Sequence, residues 1–168
     1  GYGSSHGNFR LALRKQELIR TALTRYAPQL HDGADILQYV GGFDLAALTA
    51  AMRACADKGI PFYIDGFITA AALAAAVQLQ PDVRDYALPS HMSKEPGMSA
   101  ALRYAGFDEY DVPLWADLSL GEGTGAVLAV TLLRSLFYAI WHMDTLDGIN
   151  ADAARRHEEQ KGGMDHGN

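Results

Sequence analysis

Residues 60–79 read IPFYIDGFITAAALAAAVQL, and the fold class turns on them. Ile60 to Ile64 is a short apolar run of β-formers, which fits a strand buried on both faces. Asp65-Gly66 ends it in a tight turn. The Ala-rich run from Ile68 to Leu79 then reads as a helix. Upstream, Leu45 to Asp57 reads as another helix, stopped at Lys58-Gly59. Helix, strand, glycine turn and helix follow one another with the rhythm of an α/β fold. Further out, Tyr86 to Pro89 and Leu114 to Leu120 are expected as a second and a third strand. Helices are expected from Phe9 to Tyr26, capped by Asn8 and ended by Pro28, and over Ala34–Tyr39, Met98–Ala105 and Ala126–His142. From Asn150 the chain turns polar and charged, which predicts a flexible tail over 150–168.

The chain has 168 residues, a length that suits one domain with its own core. Hydrophobic residues make up 49%, which excludes a disordered or collagen-like chain. Fourteen basic residues against twenty acidic ones give a net charge of −6, so no general nucleic-acid surface is expected. Cys55 is the single cysteine and no intrachain disulfide can form, which implies a reducing, cytoplasmic setting with Cys55 as a buried, inert thiol. No membrane span is expected, because the longest apolar stretches are short or interrupted by Arg134. The six histidines show no metal-ligand spacing, so no metal site is expected. The chain begins at Gly1 rather than Met, which implies a processed or cut chain.

Three stretches carry chemistry. Leu120 to Gly125 reads LGEGTG between an expected strand and helix. Its glycines let the backbone approach a ligand, and the helix start offers N–H groups and a positive dipole end. Glu122, framed by Gly121 and Gly123, is placed like a general base at a strand end; a solvated glutamate in a plain turn is the blander reading. Asp65-Gly66 lies at the carboxyl end of a strand, where Gly66 can offer its N–H to a phosphate or Asp65 can merely cap the next helix. Pro89 to Gly97 reads PSHMSKEPG, with hydroxyls and one histidine; a Ser-His-Asp hydrolase is disfavoured because no G-x-S-x-G elbow is present. Lys15, beside Arg14 on the first helix, reads either as a solvated base or as a phosphate contact.

Four segments together resemble one family. VGGFDLAAL (Val40 to Leu48), IPFYIDGFITAAAL (Ile60 to Leu73), LPSHMSKEPG (Leu88 to Gly97) and LGEGTGAVLA (Leu120 to Ala129) follow the order and close to the spacing of the nicotinate-nucleotide:dimethylbenzimidazole phosphoribosyltransferases of cobalamin synthesis. The likeness runs from about Gly1 to Leu146. It implies a Rossmann-like three-layer parallel sheet with flanking helices, present here as an incomplete portion of a larger domain. Residues 1–149 would be the C-terminal portion of that phosphoribosyltransferase-like domain. Family members are about twice as long, on the scale of two domain lengths. Their earlier half carries a Gly-rich phosphate loop and much of the benzimidazole pocket, and neither stands in this sequence.

The resemblance implies transfer of phosphoribose from nicotinate mononucleotide to dimethylbenzimidazole or a related base. Glu122 would be the catalytic base. Lys15, Gly66, Ser93, Gly121 and Gly123 would bind substrate. No cofactor and no metal are implied, since the leaving pyridinium is already activated and proximity with base catalysis suffices. The implied partners are the two substrates, an N-terminal half or partner chain, and a second copy in a dimer. Apolar faces that should meet the absent half are expected to be exposed. Three departures from the family pattern bear on substrate positioning and oligomer contacts: Ser119 where arginine is usual, Ser5 where glycine is usual, and a longer Asp108–Asp117 segment. Two alternatives stand beside this reading. One is a catalytically incomplete nucleotide-binding or regulatory module of the same fold. The other is an unrelated α/β subunit whose glycine motifs are structural.

Overall fold

A βαβ unit forms where residues 60–79 predict it. The computed structural model describes residues 9–115, 118 and 122–162. Strand β1 (Phe62–Ile64) leads into helix α4 (Phe67–Leu79), and a 3₁₀ segment at Pro81–Tyr86 delivers the chain to β2 (Ala87–Pro89). The strands pair in parallel with Phe62 opposite Ala87 and Ile64 opposite Pro89. The ladder continues one step further through Ser90 N–H to the Ile64 carbonyl at 3.0 Å. Parallel strands need such a crossover, and α4 supplies it.

The other helices are α1 (Phe9–Tyr26), α2 (Gly33–Tyr39), α3 (Phe43–Asp57), α5 (Met98–Tyr104), α6 (Thr124–His142) and α7 (Leu146–Gly162). The expected N-cap Asn8 lies outside the described residues. Helix α4 is apolar on every side and correspondingly central, with α2, α3 and α5 packed on it. Its alanines permit close approach: Gly33 of α2 lies against the Ala75 backbone with no room for a Cβ. The core gathers Met52, Ile64, Leu73, Val83, Met98 and Leu102.

Three expectations need correction. Among the described residues the sheet has two strands, not a three-layer parallel array, and the fold is a mostly helical α/β. Of the expected third strand, Leu114, Trp115 and Leu118 are irregular, and 116, 117, 119 and 120 lie outside the described residues. The bonds made by Leu114 and Leu118 account for their irregular backbone. Met92 N–H reaches the Leu114 carbonyl and Lys94 N–H the Leu118 carbonyl, so an advance of two positions on one side matches an advance of four on the other. A regular ladder cannot hold that mismatch. The second correction concerns the tail, which is helical over its described part as α7. Ala, Arg, Glu, Gln and Lys dominate residues 151–161, and their helix propensity outweighs the lack of an apolar face. The third concerns α6, which continues through Arg134 as one 19-residue helix. By length and composition it is long and apolar enough to cross a membrane.

The chain divides into two compact units, Gly1–Val130 and Thr131–Asn168. The second holds the later turns of α6, where Phe137 stacks on Trp141 and Tyr138 on His142, followed by α7. Thr145 opens α7 by accepting the Gly148 N–H at 3.1 Å.

Candidate functional site

The carboxyl ends of β1 and β2 and the start of α6 meet in the first unit, and Asp65 is the joint. The residues argue for a local cap at α4, but the structure assigns that carboxylate elsewhere. Gly66 is the N-cap of α4, and the Thr69 hydroxyl closes the turn by accepting the Gly66 N–H at 3.0 Å and donating to the Gly66 carbonyl at 2.8 Å. Asp65 is therefore spared. Its two oxygens accept the Gly123 N–H at 3.2 Å and the Ala126 N–H at 3.0 Å.

Those two amides belong to the first turn of α6. The Gly123 carbonyl accepts the first intrahelical bond, from Val127 N–H at 3.0 Å, so Gly123 stands at the N-cap. Glycine has no side chain to satisfy the helix's unpaired N–H groups. Asp65, 58 residues earlier in the chain, does so instead and puts a negative charge at the positive end of the helix.

Glu122 immediately precedes this cap. Its φ is 66°, the one left-handed non-glycine backbone among the described residues, and Gly123 follows at 83°. A side chain in that conformation costs about 1–2 kcal/mol, and such residues gather at functional sites. The Glu122 side chain is exposed. Beyond the adjoining residues, no atom of the described residues lies within 4 Å of where a Cβ would stand on Gly66 or Gly123, so both glycines face open space among them.

The end of β2 braces the same corner. Ser90 and His91 are fully buried. The Ser90 hydroxyl donates to the Ile64 carbonyl at 2.6 Å, with the Asp65 carbonyl 3.1 Å away. With its proton so engaged, Ser90 Oγ accepts from His91 Nδ1 at 3.1 Å. That assigns the Nδ1–H tautomer and leaves Nε2 as an acceptor, which is buried without a hydrogen-bond partner among the described residues. The ring lies against Gly125, where a Cβ would collide with it. Ser90 and His91 are thus neighbours without being a nucleophile and its base, because the hydroxyl is buried and its proton points at a main-chain carbonyl.

The other expected site residues fall as follows. Gly66 keeps its N–H on Thr69 and Gly123 keeps its N–H on Asp65, so neither amide is presented as an anion donor. Ser93 is half-buried and accepts the Glu95 N–H at 3.3 Å. Lys15 is half-buried on α1. Gly121 lies outside the described residues. Cys55 is half-buried rather than buried. The sequence reading missed the destination of Asp65 and the His91–Gly125 contact. The only local signal was a glycine-rich helix start with no capping side chain of its own.

Comparisons with known proteins agree on one family. A family model described as phosphoribosyltransferase matches residues 1–150. A nicotinate-nucleotide–dimethylbenzimidazole phosphoribosyltransferase of Escherichia coli O6:K15:H31 is 39% identical over 135 residues, which is 80% of this chain and 36% of that protein. Its counterpart in Escherichia coli K12 (DH10B) is 38% identical over the same length. Among solved structures, the nicotinate-nucleotide–dimethylbenzimidazole phosphoribosyltransferase of Thermus thermophilus superposes with a TM-score of 0.73 at 34% identity, over 86% of this chain and 42% of that one. A structure named CobT from the same organism gives 0.70 at 35% identity, over 82% of this chain and 40% of that one. The chain thus spans well under half the length of the relatives it matches.

Proposed function

The chain belongs to the nicotinate-nucleotide–dimethylbenzimidazole phosphoribosyltransferase family, and from that premise we propose that it carries the catalytic-base half of such a transferase. The reaction is phosphoribosyl transfer from nicotinate mononucleotide to dimethylbenzimidazole or a related base. An azole nitrogen forms the new bond to the ribose C1′. The bond from C1′ to the pyridinium nitrogen breaks, and its electron pair neutralises the departing nicotinate. Glu122 takes the proton from the other azole nitrogen. The product is the α-ribotide of the cobamide lower ligand.

The observation that carries this reading is the exposed Glu122 carboxylate on a left-handed turn, one residue from an amide tied to the end of β1. Ligands of open α/β sheets bind at such strand ends. General-base catalysis needs a carboxylate held within hydrogen-bond reach of the N–H it deprotonates. Lys15, Ser93 and Gly121 remain candidates for the nucleotide, as do Gly66 and Gly123 through the open space beside their backbones. The reading places the protein in the cytoplasm, with no nucleic acid, membrane, metal or organic cofactor required.

A second reading has its own support. The chain covers 36% of the length of its Escherichia coli relatives, and α1 and α6 leave Leu18, Ile19, Val127, Leu136 and Trp141 exposed. This favours a segment that is catalytically incomplete until the rest of the transferase, or a second copy, covers those faces. One assay separates the two. Nicotinate mononucleotide and dimethylbenzimidazole are incubated with the chain alone and with the remaining part of a family transferase added, and the ribotide is followed by mass spectrometry. Product only in the second mixture supports the incomplete segment. Product in the first supports an autonomous enzyme. Product in neither contradicts the transferase reading.

A further inference from the structure

We propose that Asp65 is the positioning residue for Glu122, a role that deepens the functional reading above and rests on it. The left-handed backbone of Glu122 has to be held by something outside its own turn. Gly123, the N-cap, brings no side chain. Asp65 supplies the missing acceptors twice over, to Gly123 N–H on one side and Ala126 N–H on the other. A carboxylate accepting two main-chain amides at a helix start makes charge-assisted bonds, which are stronger than neutral ones.

The clamp is itself anchored. Asp65 directly follows β1, and the Ser90 hydroxyl ties the Ile64 carbonyl to β2. Thr69 takes over the capping of α4 and leaves the Asp65 carboxylate to α6. His91, held by Ser90, lies against Gly125 and sets how closely α6 approaches. The direction of the Glu122 carboxylate is thereby referred to a pair of strands rather than to a loop, and sites carried on regular elements are held more accurately. Asp65 touches neither reacting atom. It acts by fixing the turn from which Glu122 projects.

The test uses Asp65→Asn in the intact protein, with two readouts. Asparagine keeps the shape but presents one acceptor and an NH₂ that opposes the second amide. The ribotide assay is expected to show kcat reduced about 10- to 100-fold, the range for a misplaced catalytic group, with KM for nicotinate mononucleotide held within about twofold. Hydrogen exchange is expected to quicken about tenfold at the Gly123 and Ala126 amides. The Ala70 amide, in α4, should not change. In a Glu122→Gln background the Asp65→Asn change is expected to have no further effect on the residual rate, because its influence runs through Glu122. Asp65→Glu, measured alongside, keeps the charge one methylene further out and should fall between wild type and Asp65→Asn. Unchanged kcat, or unchanged exchange at the two amides, overturns the proposal while leaving the transferase reading intact. A wild-type protein that makes no ribotide even with the remaining part of a family transferase added overturns the functional reading and the positioning role with it. The exchange rates then still report whether the clamp exists.

Discussion

Two helices of this chain are alike in composition and opposite in situation. Both α4 (FITAAALAAAVQL) and α6 (TGAVLAVTLLRSLFYAIWH) are apolar over most of their length. Helix α4 buries Ala70, Ala72, Leu73, Ala75 and Ala76, whereas α6 buries only Gly125 and Ala129. The difference lies in side-chain size and in what the chain provides. The alanines of α4 let α2 and α3 come close and surround it. Past its first turns α6 carries Leu, Phe, Tyr and Trp, and these stand exposed, with Leu136 at 51% and Trp141 at 77%. A helix that is apolar all round belongs in a core, and a face this large left uncovered marks a contact surface. The first turns of α6 are therefore the part this chain completes, and Glu122 stands directly before them.

The comparison breaks first at Leu73. Leu73→Ala removes a fully buried side chain from the centre of α4 and should cost about 2–5 kcal/mol in denaturant unfolding. A cost near zero would mean that α4 is not the core helix. Gly125→Ala comes next. Its new Cβ meets the buried His91 ring, and overpacking of this kind costs about 1–3 kcal/mol. A melting temperature equal to wild type would show that the brace under α6 is loose. Glu122→Gly should act in the opposite direction. Relief of the left-handed strain should stabilise the fold by about 1 kcal/mol while the ribotide assay loses its signal. A variant of unchanged or lower stability would argue that the turn is not strained. The smallest effect is expected at Leu136→Ala on exposed α6, within about 0.5 kcal/mol for this chain alone. A larger loss would show that the face is already covered.

The helices were legible in the sequence because their stop signals are local. Pro28, Lys58-Gly59 and the Asp65-Gly66 turn each act within a few residues, and the helix boundaries beside them fall where those signals put them. The third strand was misread because Leu114 to Leu120 has strand composition, while pairing depends on a register that composition does not encode. The helix over Leu146–Gly162 escapes a reading by polarity alone, because residues 151–161 lack an apolar face yet are strong helix formers. Glu122 stood out through its glycine frame. The clamp on it did not, since Asp65 reaches across 58 and 61 residues of chain and a local cap at α4 explained it equally well. His91 was singled out only as one member of a hydroxyl-rich loop. Its place under Gly125 is a tertiary fact with no local pattern.

The most direct measurement is the ribotide-forming rate of the intact protein with Glu122→Gln, beside nucleotide binding by the same variant. General-base assignment predicts a fall of about 10²–10⁴-fold in kcat with affinity for nicotinate mononucleotide unchanged. A glutamine variant that forms the ribotide at the wild-type rate would contradict the central claim, because the glycine-framed turn would then hold no base.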